Sequence, residues 1–248
     1  MVVAVPDELS DEVAAQMLVN PLTTVMLRRE AEEHLAFGYD GLLVQTAAGS
    51  SVGRLVTGVC RFHNLPLVNV VRSDRGAAEL RKRFPDVPVV ATEHPGWADE
   101  VRKAAGGRPV TVAFDPIGGK LAENLLDLLT PGGKLVICGQ IAEEPISVHA
   151  STMLHQSLTL RGATLGRWLS EASAERRASD VATAKQIALA LKDQFDVAAT
   201  YGLGELPTSW STRYGPARSA PSSSAPGSRR YCTEVVKARQ GCTAWNSG

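Results

Sequence analysis

The sequence predicts an α/β fold of the Rossmann type, a doubly wound parallel sheet with helices on both faces. Short, continuously apolar runs alternate with helical segments over most of the chain. Strands that are apolar at every position are typical of parallel sheets buried on both faces. A turn of small residues joins the first such run to the helix after it. The composition, with 44% hydrophobic and 21% charged residues, is that of a globular protein.

The predicted elements follow in order along the chain. Apolar residues near a 3.6-residue period predict a helix over Asp11 to Glu33, capped by Ser10, and Pro21 is expected to kink it or divide it in two. The first strand starts at Leu42, and the helix after it ends at about His63. The further strands are predicted over Leu67–Val71, Val87–Ala91, Val110–Asp115, Lys134–Cys138 and Leu158–Gly162. The further helices are predicted over Gly76–Phe84, Trp97–Ala105, Lys120–Leu129 and most of Ala172–Phe195.

The turn after the first strand has a layout that suits a nucleotide pyrophosphate. Residues 46–53 read TAAGSSVG, and such small residues let the backbone approach phosphate groups. The helix that follows offers free N–H groups and the positive end of its dipole. Ala48 and Ser50 stand at the first two positions of a G-x-G-x-x-G pattern and Gly53 at the third. Since a Gly/Ser turn before a helix is also a common connector, the turn alone leaves both interpretations open.

The residues after the second strand indicate the type of nucleotide. In dinucleotide-binding βαβ units an acidic residue about 20 positions after the glycines binds the ribose 2′-hydroxyl of NAD. Here Arg72 stands at that position, followed by Ser73, Asp74 and Arg75. A guanidinium matches a 2′-phosphate in charge and geometry, so we predict NADPH as the cofactor. The alternative is a solvated arginine at the end of a strand.

Charge and cysteine content argue against several other classes of protein. Basic and acidic residues number 26 each, so the net charge gives no indication of nucleic-acid or membrane binding. No apolar run reaches the roughly 18 residues of a membrane span, and the amino terminus lacks the pattern of a signal peptide. The four cysteines form no C-x-x-C pair, so neither a disulfide scaffold nor a metal site is expected. A cytoplasmic location is therefore expected.

Six sequence blocks carry a family resemblance. They are VNPLTTVML (19–27), TAAGSSVG (46–53), NVVRSD (69–74), FDPIGG (114–119), PGGKLVICGQ (131–140) and RGATLGRW (161–168). In this order the chain resembles the medium-chain dehydrogenase/reductase superfamily, on its zinc-independent branch of quinone reductases and trans-2-enoyl-thioester reductases. The resemblance implies an NADPH-dependent oxidoreductase that reduces the activated C=C bond of an enoyl thioester, or a quinone-like small molecule.

The resemblance also implies the cofactor-binding residues by position. The residues near the nicotinamide would be Asn20 and Thr23, together with Cys138, Gly139, Gln140 and Ile141 after the fifth strand. The pyrophosphate would lie against Gly49, Ser50, Ser51 and Val52, with Gly53 closing the turn. The phosphorylated ribose would meet Arg72, Ser73 and Asp74, and backbone contacts would come from Ala163, Thr164 and Leu165.

Two departures from the family concern catalysis. Family members begin with a GroES-like catalytic domain, which this sequence is expected to lack, and the enoyl reductases carry a tyrosine there as proton donor. The tyrosines at positions 39, 201, 214 and 231 match no such position, so no catalytic residue is assigned. Family members also end with a return to the catalytic domain, where this sequence has a different tail.

Four regions are predicted: a helical lead-in (1–40), an NADP-binding domain (41–168), a C-terminal helical segment (169–206) and a low-complexity tail (207–248). The tail includes the stretch GPARSAPSSSAPGSRR, which has no apolar period, so disorder is expected. Residues 207–224 can be back-translated into a DNA string whose shifted frame encodes DVVEHALRPGKVGTVLL, much as the family ends. A frameshift in the tail is therefore a hypothesis.

Three functions are consistent with these features. The first is an NADPH-dependent reductase, the second an NADP(H)-binding module without turnover, and the third a non-functional fragment. The resemblance also implies a homodimer that forms through the sixth strand.

Overall fold

The computed structural model describes residues 3–35, 41–201 and 235–236. The helices in these ranges are α1 (Asp11–Ala14), α2 (Asn20–Leu35), α3 (Ser51–Phe62), α4 (Asp74–Arg83), α5 (Trp97–Ala104), α6 (Gly119–Leu128), α7 (Ala150–Gln156), α8 (Leu165–Glu171) and α9 (Ala174–Ala190). The strands are β1 (Leu42–Gln45), β2 (Leu67–Val71), β3 (Val89–Ala91), β4 (Val110–Asp115), β5 (Lys134–Ile137), β6 (Thr159–Gly162), β7 (Thr200–Tyr201) and β8 (Val235–Val236). A short 3₁₀ turn, Lys192–Gln194, follows α9.

The first six strands form one parallel sheet in the order β3-β2-β1-β4-β5-β6. Every residue of β1 to β4 is buried, which explains why these strands are apolar at nearly every position. The chain runs outward from β1 to β3 and then returns to place β4 on the other side of β1. The predicted fold class, a doubly wound Rossmann-type sheet, is confirmed. Strands β7 and β8 pair separately.

Two hydrophobic clusters cover the two faces of the sheet. Leu43 and Val71 face one cluster, where they meet Val56 of α3 and Leu80 of α4. The neighbouring residue Val44 faces the other cluster, which contains residues of α5 and α6 such as Val101 and Leu125. Successive strand residues thus pack against helices on opposite faces, as a doubly wound sheet requires.

A third cluster joins the first helices of the chain to the last. Leu22 and Val25 of α2 pack with Leu55 and Val59 of α3, and with Trp168 and Ile187 from α8 and α9. The predicted lead-in is therefore packed against the nucleotide-domain helix that follows β1.

Local sequence signals predicted most element boundaries. The first predicted helix is divided in two, with the break at residues 15–19, and Pro21 lies in the first turn of α2, where a missing N–H costs little. Ser10 caps α1, and β2 and β4 have the predicted bounds. Helix α4 starts two residues earlier than predicted, because the Ser73 hydroxyl accepts a hydrogen bond from the Gly76 N–H at 3.3 Å.

Other boundaries were predicted less well. The helix predicted over 172–195 ends at Ala190, and α7 and α8 were not predicted. Helix α8 spans the predicted boundary between residues 168 and 169. Residues 202–234 and 237–248 lie outside the described ranges, so the disorder and the frameshift proposed for the tail stay predictions. In the described part of the chain, no helix has both the length and the apolar character that crossing a membrane requires.

Candidate nucleotide-binding site

The sheet reverses its strand order between β1 and β4, and the carboxyl ends of these two strands meet there. In open α/β sheets this reversal opens a crevice in which ligands bind. The residues that leave β1 run into α3, and those that leave β4 run through Pro116 to Gly119 into α6. The candidate site is built around this crevice.

The turn between β1 and α3 is shaped by three small residues. Ala48 is fully buried in the core, so its methyl group fills space where the usual pattern has a glycine. The Ser50 hydroxyl caps α3 by accepting a hydrogen bond from the Gly53 N–H at 3.1 Å. At Gly53 a Cβ atom would lie 2.6 Å from the Ala48 carbonyl oxygen and 2.7 Å from its Cα. Only glycine fits at this third position, because the obstructing atoms belong to the backbone.

Several amide groups of this turn are open to an anion. Among the described residues, the backbone N–H groups of Gly49, Ser51 and Val52 donate to no protein acceptor. The first turn of α3 contains no acidic residue, and a Cβ at Gly49 would meet open space. Free amides at the positive end of a helix dipole form a site for phosphate groups.

A buried polar network fixes α3 under this turn. The Gln45 Nε2 donates hydrogen bonds to Asn69 Oδ1 at 2.7 Å and to the Gly53 carbonyl at 2.9 Å. The Thr57 hydroxyl donates to the same Gly53 carbonyl at 2.9 Å. Gln45 and Asn69 are opposite each other in the β1–β2 register, and all three side chains are buried. Sequence reasoning missed this network, although each strand residue interrupts an apolar run.

Asp115 organises the β4 side of the crevice. Its buried carboxylate accepts hydrogen bonds from the Thr46 hydroxyl, from the Ile117 N–H at 3.1 Å and from the Gly118 N–H at 2.7 Å. Gly118 has a φ of 84°, a backbone conformation that favours glycine. This carboxylate therefore holds the end of β1 and the turn after β4 together.

The segment after β5 packs closely on the same turn. The Cys138 N–H donates to the Asp115 carbonyl at 2.9 Å, and a Cβ at Gly139 would lie 2.8 Å from the Pro116 carbonyl oxygen. Gln140 and Ile141 are exposed beyond it. Burial, with a smaller contribution from Asp115, raises the pKa of the Cys138 thiol to about 12. Cys138 is thus a protonated, packed side chain and not an activated nucleophile.

The end of β2 presents a cation to solvent. Arg72 is exposed and has no hydrogen-bond or ion-pair partner within the described part of the chain. Ser73 is the N-cap of α4, and the Asp74 N–H donates to the Glu93 carboxylate at 2.6 Å. The ribose-binding role of Arg72, Ser73 and Asp74 stays a prediction, and the acidic Glu93 is a neighbour of this edge that the sequence did not indicate.

Glu93 belongs to a small cluster at this edge. His94 Nε2 lies 3.0 Å from the Asp74 carboxylate, and this contact raises the pKa of the imidazole above its usual value. In the described ranges, ligand atoms of Asp74, Glu93 and His94 also lie close enough together to hold a metal ion. All three residues are exposed, however, and exposed acidic groups of this kind are common without a metal.

The remaining site residues converge from two other directions. Val52, Cys138 and Ala163 all pack against the cluster that contains Ala48, so the turn, the end of β5 and the end of β6 border the same hydrophobic cluster. Thr164, itself exposed, caps α8, while the half-buried Leu165 packs in the cluster shared by α2 and α3.

Asn20 and Thr23 are placed by the first turns of α2. Asn20 is buried, and the Thr23 hydroxyl donates to the Val19 carbonyl at 2.8 Å. Leu22, between them, packs against Leu55 of α3. Asn20 and Thr23 are thus linked to the candidate site by the packing of α2 on α3, and not by the ends of the strands.

The parallel sheet, the crevice at its order reversal and the open amides after β1 define an α/β protein of the dinucleotide-binding class. The model of the zinc-binding dehydrogenase family matches residues 51–182, more than half of the chain. The chain belongs to this family, within the medium-chain dehydrogenase/reductase superfamily, and its similarities lie on the branch of enoyl-thioester and quinone reductases that the six blocks predicted.

Individual relatives support the same placement. The mitochondrial enoyl-[acyl-carrier-protein] reductase of Arabidopsis thaliana is 30% identical over 162 residues, which cover 64% of this chain and 42% of that protein. The chain thus spans less than half the length of this relative. The relative is mitochondrial by name, and the cytoplasmic location stays a prediction for this chain.

Solved structures show the same fold. A quinone oxidoreductase from Pseudomonas syringae has a TM-score of 0.64 at 23% identity, covering 84% of this chain and 62% of that one. A mitochondrial 2-enoyl thioester reductase heterodimer from Candida tropicalis has a TM-score of 0.61 at 16% identity, covering 80% of this chain and 56% of that one.

Proposed function

We propose that this chain binds NADPH along the carboxyl edge of its sheet, as the cofactor domain of a reductase. The observation that carries the proposal is the set of open amides at Gly49, Ser51 and Val52, at the start of α3. A diphosphate accepts hydrogen bonds from such groups and is favoured by the helix dipole. The close approach of Gly53 to Ala48 supports the same function, because it keeps the start of the helix next to the strand end.

The substrate class follows from the relatives. Their names describe reductases of enoyl thioesters and an oxidoreductase of quinones, so we propose that the acceptor is a small molecule with an activated C=C bond or a quinone-like ring. When bound, NADPH supplies the hydride for such a reduction.

The residues of this chain would hold the cofactor along the strand ends. The open amides of the turn after β1 bind the diphosphate. The nicotinamide half is bordered by residues from three segments: Asn20 and Thr23, Gly139, Gln140 and Ile141, and Ala163, Thr164 and Leu165. Asp115 contributes indirectly, because it fixes the turn after β4 on which the 138–141 segment packs. No side chain is assigned as proton donor, so the proposal places cofactor binding, and not the complete reaction, in this chain.

Arg72 is the residue that we propose to select NADPH over NADH. Its guanidinium is exposed and has no protein partner within the described ranges, at the end of β2 where the ribose of a dinucleotide lies. A 2′-phosphate would accept charge-assisted hydrogen bonds from it, whereas a 2′-hydroxyl gains little from a cation.

Titration calorimetry of the wild-type chain and of R72A with NADPH and NADH tests this selection. We expect R72A to bind NADPH more weakly by about tenfold or more, which corresponds to the loss of a hydrogen bond to a charged group. The affinity for NADH should stay nearly the same. R102A is the matched control, since Arg102 is an exposed arginine on α5 that pairs with Asp99. Equal NADPH affinity of R72A and wild type would contradict the proposed role of Arg72.

A further inference from the structure

Arg54 connects the turn after β1 to residues 191–196, which are distant along the chain. It lies in the first turn of α3, and its Nη1 donates a hydrogen bond to the Gly49 carbonyl at 2.9 Å. On the other side, its Nε and Nη2 donate to the Gln194 carbonyl at 3.1 and 3.0 Å. Nη2 also lies 3.3 Å from the Asp196 carboxylate. Arg54 is only 9% exposed, so these contacts lie largely out of solvent.

The segment that Arg54 reaches, residues 191–196, is docked on α3 by further contacts. A Cβ at Gly58 would lie 2.6 Å from the Leu191 side chain, so Leu191 packs directly on the helix backbone at that point. Arg83 at the end of α4 also pairs with Asp196, at 2.8 Å. Arg83 contacts residues 193 and 196 and not Gly49, so it shares Asp196 with Arg54 but does not itself touch the turn after β1.

We propose that Arg54 is a positioning residue for the diphosphate, and that it couples nucleotide binding to the docking of residues 191–196. The proposal rests on NADPH binding at the turn after β1. The Gly49 carbonyl is adjacent to the open amides, and an unpaired carbonyl oxygen there would repel a diphosphate. Arg54 donates a hydrogen bond to this oxygen and adds a positive charge at the edge of the turn.

The geometry of the guanidinium makes this coupling specific. Its planar fork donates to one carbonyl on the turn and to another on the 191–196 segment, which the single ammonium nitrogen of a lysine is poorly shaped to do. Because coupling between two sites is reciprocal, nucleotide binding should strengthen the docking of the segment by the same factor that the docked segment strengthens nucleotide binding.

The affinity of folded R54M, R83M and wild-type chains for three ligands tests the proposal. NADPH and ADP contain a diphosphate, whereas adenosine 2′-monophosphate does not. We expect R54M to bind NADPH and ADP about tenfold more weakly, as for a lost charged hydrogen bond, and to bind adenosine 2′-monophosphate normally. R83M is the matched control, because it removes a partner of Asp196 without touching the turn. The Arg83–Asp196 pair is exposed and contributes little to the docking of residues 191–196, so R83M should bind NADPH within about twofold of wild type.

Hydrogen exchange provides a readout that a merely structural role would not change. In the wild type, saturating NADPH should slow amide exchange in residues 191–196, and in R54M this slowing should be lost while the exchange of β1 and β4 stays as in the wild type. If R54M does not fold, R54K replaces it, with a smaller loss of affinity expected for NADPH and for ADP.

The outcomes separate two failures. A wild type that binds NADPH, together with R54M that binds it equally well, would overturn the role of Arg54. An equal loss for all three ligands would do the same, because it indicates a general defect. A folded wild type that binds none of the three would instead overturn the proposed function itself.

Discussion

At the scale of single residues, the turn after β1 shows why a glycine pattern can be met without its glycines. Ala48 places its methyl group in the core, and Ser50 uses its hydroxyl as a helix cap, so both positions tolerate a side chain. Gly53 does not, because the backbone of Ala47 and Ala48 lies within 2.8 Å of its missing Cβ. The third glycine therefore has a steric cause that the sequence pattern indicated correctly.

Replacing this glycine tests the steric argument. We expect G53A to be destabilised by about 1–3 kcal/mol, because the added methyl group overlaps backbone atoms that cannot move aside. For a chain of this size the Tm should fall by roughly 2–10 °C in a thermal melt followed by circular dichroism. G49A is the matched control from the same turn, since its Cβ meets nothing within 4 Å. A Tm of G53A equal to that of G49A would contradict the account.

Residues whose role depends on a distant partner could not be assigned from the sequence. Gln45 and Asn69 form a buried pair only because the parallel register places them opposite each other. Arg54 reads as one basic residue on an amphipathic helix, and its partner carbonyl at Gln194 is 140 positions away along the chain. Both cases require knowledge of packing that local patterns do not contain.

At the scale of elements, the strands were the most predictable part of the molecule. β2 and β4 have the predicted bounds because they are buried on both sides and therefore mostly apolar. Helix α7 has no buried residue, so it lacks the apolar periodicity by which a helix is recognised. Helix α8 is a short helix of seven residues whose single buried side chain is Trp168.

The edge strand β6 raises the question of assembly. All four of its residues are exposed, and Leu160 is 41% exposed. Thr159 and Ala163 donate their N–H groups to β5 and its preceding turn. Because successive N–H groups of a strand point to opposite sides, the N–H groups of Leu160 and Gly162 face the open edge. An exposed edge with open N–H groups is suited to pairing with a second strand, and we propose a homodimer that forms there.

Introducing a charge at the edge tests this assembly. We expect the wild type to sediment as a dimer and L160K to sediment as a monomer, because a lysine on an edge strand disfavours pairing. F62K is the control, since Phe62 is another highly exposed apolar residue but lies at the end of α3 and outside the sheet. Sedimentation velocity distinguishes the states, and a monomeric wild type, or a dimeric L160K, would count against pairing through β6.

At the scale of the whole molecule, the first helices are part of the same packed body as the sheet. Lys134 at the start of β5 pairs with Glu30 of α2, and both side chains are buried. Arg161 of β6 pairs with the same carboxylate at 2.8 Å. Trp168 of α8 donates its indole N–H to the buried Asp180 of α9 at 2.8 Å. These contacts tie the lead-in and the last helices to the nucleotide domain.

The family could be recognised from the sequence because the six blocks mark the places where the chain turns at the carboxyl edge of the sheet or packs against it. Such turns need particular residues, as Gly53 and Gly139 show, so they leave a clear signal. The sequence does not identify the acceptor, because the crevice residues that it marks are those proposed to bind the cofactor, and the chain spans only 42% of the Arabidopsis relative.

The central claim is that the amides at the start of α3 bind the diphosphate of NADPH. An NMR titration of the isotope-labelled chain with NADPH tests this claim most directly, because it observes those amides one by one. We predict that the resonances of Gly49, Ser51 and Val52 move most, saturate together and shift in the same way with ADP. Unchanged resonances at these three residues in the presence of millimolar NADPH, with the chain folded, would contradict the claim.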